Sequence, residues 1–419
     1  MGSRGLNCLG SVAAAAMASL AVPTWAAEQA SVLPTTNPGG GQATLEEVVV
    51  TARKVTEDLQ EAPASIVAVS GSQLQAAGVV DVQGLEKFVP SANLRSEGPV
   101  VETFIRGVGS NIDSANVDEA VSYNYNGIVL SRFATAGLLF DVANVQVIAG
   151  PQGTLYGGTA AGGAINVTSA RPKDDAAGAI TLEGGNYARA HFSGFQDIPV
   201  SDMLSVRGAI DYDRRDGYET YGFDAQDSIR GRLSALITPN DSASVLVFAS
   251  GSYDDGKPAV AINNPLYDSS NPWKVAPAGP TYANPVDPNY VQRTIETYVF
   301  GANADIAMGD NHFTYIPGFV HNIIGYQTYI GYFPHPVKES EAQVSQELRW
   351  NRRFDALALS AGVFYLHDSV GMYGGFGAPI LPKPPYIAVT PSGQLRQDET
   401  SYAVFGQGVY SVTDKLRLT

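Results

Sequence analysis

From Gly178 onward, apolar and polar positions alternate with a period of two. Over 203–213, Leu204, Val206, Ile210 and Tyr212 fall on one face and Ser205, Arg207, Asp211 and Asp213 on the other. Over 228–237, Ile229, Leu233, Ala235 and Ile237 oppose Ser228, Arg230, Arg232 and Ser234. Over 343–351, Val344, Leu348 and Trp350 oppose Ser345, Glu347, Arg349 and Asn351. Successive side chains of a strand point to opposite faces, so each stretch predicts a strand with one apolar and one polar face. Turn residues divide the region into roughly eleven strands. Short turns near Val200–Asp202, Pro239–Asp241, Gly309–Asn311, Asn351–Asp355 and Thr413–Lys415 alternate without a slip with longer connections at 214–227, 254–290, 326–338 and 369–399. A soluble sandwich also alternates, but has no reason to keep this parity. A membrane barrel does, with short turns at one rim and long loops at the other. Tyr187, Tyr218, Tyr298 and Trp350 lie near predicted strand ends, where interfacial aromatics belong.

Upstream, residues 60–172 read as a mixed α/β domain. Ser65–Val69 predicts a strand. Ser72–Ala77 predicts a short helix capped by Ser70 or Ser72, and Asp81–Phe88 a second helix stopped by Pro90. Further strands are expected at Glu102–Arg106, Ser122–Leu130, Val145–Ile148 and Ala164–Thr168. The run Gly150-Pro151-Gln152-Gly153-Thr154-Leu155-Tyr156-Gly157-Gly158 is dense in turn residues, and Gly162-Gly163 follows it.

The first residues carry a different signal. Arg4 precedes an apolar, Ala-rich stretch from Leu6 to Val22, and Thr24 and Ala26 place small residues at the −3 and −1 positions of a cleavage site. This predicts an export signal over 1–26. No other run reaches about 18 apolar residues, so membrane spanning would have to use strands closed into a barrel. Residues 27–44 are rich in Pro, Gly, Thr and Gln and read as a linker. In Leu45-Glu46-Glu47-Val48-Val49-Val50-Thr51, three consecutive valines favour an extended strand. Composition leaves two roles open for it: an edge strand added to a partner protein, or the first strand of the next domain.

Composition removes several function classes. With 41 Asp+Glu against 26 Lys+Arg and a net charge of −15, the chain lacks the basic surface of a nucleic-acid binder. Its one cysteine, Cys8, lies in the export signal, so the mature chain has no thiol chemistry and no disulfide. His191, His312, His321, His335 and His367 show no metal-ligand spacing, and no nucleophile–base pair is visible. The Gly-rich run lacks the Lys-Ser/Thr ending of a phosphate loop and reads as tight turns. No enzyme, cofactor or protein metal site is expected. The Arg and Asp residues of the polar strand faces read as a solvated interior. The loop aromatics Tyr267, Trp273, Tyr282 and Tyr290 are candidate substrate contacts, with loop packing as the alternative.

At this point the residues resemble a family, the TonB-dependent outer-membrane receptors. Leu45–Lys54 is similar to the docking segment called the TonB box. Phe104-Ile105-Arg106-Gly107, the run Gly150 through Gly157 and Gly162-Gly163-Ala164-Ile165-Asn166 resemble plug signatures. Ser345-Gln346-Glu347-Leu348-Arg349 resembles a recurrent barrel strand. The resemblance implies an α+β plug domain (55–172) after the box (45–54), then antiparallel transmembrane β-barrel strands (178–419) from a 22-stranded barrel. It also implies pairing of the box with the TonB periplasmic domain, and import of a scarce large solute driven by the inner-membrane proton gradient. A ferric siderophore leads as substrate, with cobalamin, haem and oligosaccharides open.

Two departures concern plug charges: Ala149 stands where the family usually has Arg, and Gln146 where it usually has Glu. Arg106 remains, and is expected to be buried between plug and barrel against a carboxylate, with Glu347 as the partner. The third departure is length. Eleven strands about 4.8 Å apart and tilted about 40° would enclose only ~22 Å, too narrow for a plug ~34 Å across. The chain is therefore expected to hold an incomplete barrel, an open sheet curving around the plug. It would be a fragment of a longer receptor or a truncated, non-functional one. A passive porin or surface adhesin is the alternative from another class. It explains the barrel and not Leu45–Thr51.

Overall fold

The computed structural model describes residues 49–50, 54, 57–58, 64–97, 100–110, 119–131, 134, 137, 139–153, 160–219, 222–258, 289–330, 333–375, 393–413 and 416–419. The expected export signal and linker lie outside them, as do Leu45–Val48 and Thr51, Thr154–Gly158, and Tyr267, Trp273 and Tyr282.

The inner domain begins with β1 (Val49–Val50), paired antiparallel with β2 (Glu57–Asp58). β3 (Ser65–Ser70) runs directly into α1 (Gly71–Ala76) because Ser70 caps it. Its Oγ accepts from the Gln73 amide at 3.2 Å, and Gln73 Oε1 accepts from the Ser70 amide at 2.9 Å. Two free helix-end donors are thereby satisfied reciprocally. The expected second helix tightens into a 3₁₀ turn, Gln83–Lys87, with Asp81 Oδ1 accepting from the Gly84 amide at 2.9 Å. Pro90 lies too close for another α-helical turn to form.

β4 (Ala92–Glu97), β5 (Val100–Ile105) and β6 (Val108–Gly109) make one small antiparallel sheet. β7 (Val121–Tyr125), β8 (Ile128–Leu130), β9 (Val142–Ala149) and β10 (Gly163–Ser169) join β3 in a five-stranded sheet of order β3-β9-β10-β7-β8, parallel only at β10–β7. The stretch 122–130, expected as one strand, is a hairpin. Asn126 (φ 50°) and Gly127 (φ 85°) turn it back. Asn-Gly is the preferred pair for a hairpin turn with two positive φ angles, but the apolar alternation on either side hid it. Val69, Leu85, Ile105, Tyr125, Val145 and Ile165 form the domain's core.

The wall is one antiparallel meander of eleven strands, as expected. They are β11 (Ala177–Gly185), β12 (Arg189–Ser201), β13 (Leu204–Arg215), β14 (Gln226–Asn240), β15 (Ala243–Gly256), β16 (Gln292–Met308), β17 (Asn311–Ile330), β18 (Phe333–Arg353), β19 (Leu357–Gly374), β20 (Gly393–Thr413) and β21 (Leu416–Leu418). The order runs from β11 to β21 and does not close. Its two faces invert the soluble rule. Ile180, Leu182, Leu233, Phe300, Leu348 and Val404 are exposed on one face, while Asp197, Arg207, Arg232, Thr297, Glu341 and Glu347 are buried on the other. This is the apolar-out, polar-in pattern of a lipid-facing barrel.

The parity of connections needs correction. The connection expected at 326–338 is mostly strand, since β17 continues to Ile330 and β18 starts at Phe333. At the same rim only Asn186–Ala188 separates β11 from β12. Two of the long-side connections are therefore short. The run Tyr326-Gln327-Thr328-Tyr329-Ile330 is rich in strand-favouring residues, and it stays paired in register with 333–337.

Candidate functional site

The inner domain sits against the buried polar face of the wall. Neighbouring glycines in β16 and β17, Gly301 and Gly318, are register partners and leave a notch. Ile128, just after the Asn126-Gly127 turn, fills it: a Cβ on Gly301 would collide with Ile128, and one on Gly318 would lie 2.7 Å from it. Tyr125 meets Phe248 of β15 edge to face, with ring centroids 5.7 Å apart. Around this apolar seat lies a polar ring. Gln343 Nε2 donates to the Val129 carbonyl at 2.6 Å. Ser131 Oγ donates to Glu341 Oε2 at 2.6 Å, and Asn322 donates to the same oxygen at 2.8 Å.

On the β13–β14 side, the inner domain offers a carboxylate. Asp141, at a left-handed backbone position (φ 47°) just before β9, is gripped by two wall arginines. Arg207 Nε donates to Asp141 Oδ2 at 2.9 Å, and a second Arg207 nitrogen bonds Oδ1. Arg232 bonds Asp141 Oδ2 and donates to the Asp141 carbonyl at 2.8 Å. Arg232 also donates to the Tyr125 hydroxyl at 3.0 Å. Arg207 is steadied by Asp197 at 2.6 Å and lies over the Phe195 ring, 3.6 Å from its centroid. Arg230 donates to the Val80 carbonyl at 3.1 Å. Forked guanidinium–carboxylate contacts of this kind fix orientation as well as charge.

On the β18 side the polarity is reversed, with the wall offering the carboxylate. Lys54 Nζ lies 2.6 Å from Glu347 Oε2, and Arg349 of the same strand holds Oε1 at 2.7 Å. Arg349 Nη1 also donates to the Lys54 carbonyl at 3.3 Å, and the ammonium lies 4.6 Å from the centroid of the Phe405 ring. Burial holds the Lys54 ammonium below its usual pKa, more than Glu347 raises it. Beyond Glu341, toward the long-loop rim, Ile295, Ile324 and Tyr326 form a second apolar patch with Val337.

The family model for the TonB-dependent receptor plug domain matches residues 58–164. An iron-regulated outer membrane virulence protein of Vibrio cholerae is 29% identical over 212 residues, covering 46% of this chain and 32% of the relative. The pesticin receptor of Yersinia pestis is 34% identical over 162 residues, covering 38% and 24%. The crystal structure of the ferric yersiniabactin uptake receptor of Yersinia pestis superposes with a TM-score of 0.70 at 19% identity, covering 84% of this chain and 63% of that one. The Pseudomonas aeruginosa ferripyoverdine receptor gives 0.71 at 14%, covering 88% and 52%. The chain carries the plug domain of the TonB-dependent receptors. It is an outer-membrane protein with a plug and a sheet of barrel strands. The chain spans less than two thirds of the length of the relatives it matches.

Within the receptor, the described residues of the glycine-rich plug signatures form backbone framework. Gly150 (φ 98°) donates to the Gly162 carbonyl at 3.0 Å, and Gln152 to that of Ala160 at 2.8 Å. Gly162 donates to the Ala120 carbonyl at 2.7 Å. A Cβ on Gly163 would collide with the Ile148 carbonyl. Pro151 and Gly153 are exposed in this turn. Tyr290 lies half-buried just before β16.

Arg106 and Glu347 are not brought together as expected. Arg106 (φ 52°) and Gly107 (φ 78°) form the tight β5–β6 turn, and the Arg106 side chain is exposed. That turn carries it out of the interface, and Glu347 is met by Lys54 and Arg349 instead. Reading the interior arginines as a solvated face also fails for Arg207, Arg230 and Arg232. All three are buried, against Asp141 or the Val80 carbonyl. The missed residues are therefore Asp141, Arg207, Arg232 and Lys54. The two arginines had a signal, since their polar-face phase already placed them toward the plug. Asp141 and Lys54 had none.

Proposed function

We propose that the receptor imports a ferric siderophore across the outer membrane, with TonB docking on Leu45–Thr51 and the proton gradient of the inner membrane supplying the work. The observation that carries this reading is the seating of the plug. Ile128 in its glycine notch and Asp141 between two arginines tie the plug to the wall by side-chain contacts that diffusion of a solute does not break. On this reading passage requires an input of energy. The choice of substrate leans on relatives named for iron regulation, ferric yersiniabactin uptake and ferripyoverdine binding. The patch of Ile295, Ile324 and Tyr326, with Tyr290 nearby in sequence, is the proposed substrate site, and Tyr267, Trp273 and Tyr282 are further proposed contacts read from the sequence alone.

Uptake of radiolabelled ferric siderophores by iron-starved cells tests this directly. Deleting Leu45–Thr51 should abolish uptake while leaving the protein in the outer membrane. Uptake that survives the deletion would mark a passive pore.

A further inference from the structure

We infer that Lys54 is a positioning residue for energy coupling: by bonding Glu347 it latches the root of the docking segment to the barrel wall. The inference rests on the reading of Leu45–Thr51 as the segment on which TonB pulls.

Four observations converge on it. Glu347 is buried on the inner face of β18, where a carboxylate needs cationic partners, and Ala149 and Gln146 of β9 bring no charge to it. Arg106, the remaining plug candidate, is exposed in its turn. The cation that does arrive, at 2.6 Å, comes from Lys54, which lies between β1 and β2 in sequence and ahead of every strand of the plug's main sheet. Finally, Arg349 bonds the Lys54 carbonyl as well as Glu347, so backbone and side chain are held at one point, with Phe405 under the ammonium.

The consequence is mechanical. A pull on β1 reaches Lys54 before it reaches β3, so among the described residues the Lys54–Glu347 contact is the first tie between docking segment and wall to feel the load. While the tie holds, β1 stays folded back on β2, with one of its edges already occupied. A partner strand adding to Val49–Val50 must compete with that arrangement. Lysine suits a tie that has to open. Its ammonium makes single rather than forked bonds, and the cost of burying it offsets much of its attraction to Glu347.

The test uses the full receptor in outer membranes with a single reporter cysteine, Val50→Cys, and measures its rate of maleimide labelling. Lys54→Glu sets two carboxylates against each other and should speed labelling roughly tenfold. Lys54→Arg should leave it near the starting rate. Adding Glu347→Gln to Lys54→Glu removes the repulsion and should slow labelling again, a non-additive result that general loosening does not produce. Unchanged heat-modifiable gel mobility shows that each variant's barrel is folded. Equal rates in Lys54→Glu and the parent would overturn the latch, as would additive acceleration in the double variant. If the rates behave as expected but added TonB periplasmic domain gives Val50→Cys no protection, the latch stands and the energy-coupled reading falls.

Discussion

The plug is held on its two sides by opposite charge arrangements. On the β13–β14 side the plug supplies the anion, Asp141, and the wall supplies two guanidinium groups. On the β18 side the wall supplies the anion, Glu347, and the chain supplies a single ammonium, Lys54. The first contact is multidentate and lies in the body of the plug, at the start of β9. The second holds Lys54, beside β1, by its ammonium on Glu347 and its carbonyl on Arg349. Geometry thus separates a fixed anchor from a releasable tie. The difference teaches that plug locking need not use the charges that the family's signatures suggest: the signature arginine Arg106 serves a turn, and unremarked residues take the load.

Removing the anchor should give the largest effect. Asp141→Ala leaves Arg207 and Arg232 facing a gap from a buried position. An uncompensated buried charge costs about 3–5 kcal/mol. Arg207 keeps Asp197, so the lower end is expected. Hydrogen exchange of β9 amides should accelerate strongly in this variant. Protection equal to wild type would show that the arginines find other partners and that Asp141 is no anchor.

Filling the notch should act next. Gly318→Leu forces Ile128 out of its seat, and overpacking of this kind costs about 1–3 kcal/mol. Single-channel recordings should then show open events absent from the parent. A closed, silent channel would mean that the seat can reshape and that the polar contacts alone hold the plug.

Lys54→Ala should cost the plug less than Asp141→Ala, because Arg349 still compensates Glu347. Its visible effect should be confined to the docking segment. Loss of β9 protection as large as in Asp141→Ala would erase the distinction between anchor and tie.

The smallest effect concerns pH. Burial lowers the Lys54 pKa from its ordinary 10.5. The released segment therefore binds its proton more tightly than the latched one. Between the lowered value and 10.5, raising the pH favours the latched state, and below that window the balance is level. A nitroxide at residue 50 should become less mobile as the pH rises toward 10.5. Mobility that increases over this range would mean that the ion pair outweighs burial.

Much of the architecture is legible in the residues. The alternation of Leu204, Val206 and Ile210 with Ser205, Arg207 and Asp211 foretold both a strand and which face meets lipid. The count of eleven strands followed from the turns. Where the reading slipped, the competing signal was local. Asn126-Gly127 was hidden by the alternation flanking it, and β17 and β18 ran on past the expected loop because strand-favouring residues continued.

The sequence by itself determined the period of each segment, the inversion of its faces and the order of plug before barrel. These depend on neighbours two to four residues apart and on the solvent that each face must meet. Only the tertiary structure decided which charges pair. Lys54 and Glu347 lie 293 positions apart, and Asp141 lies 66 from Arg207 and 91 from Arg232. Nothing in the local pattern ranks one distant carboxylate above another. The choice falls to where the turn at Arg106 points its side chain, and to how far the Ile128 seat lets the plug approach the wall.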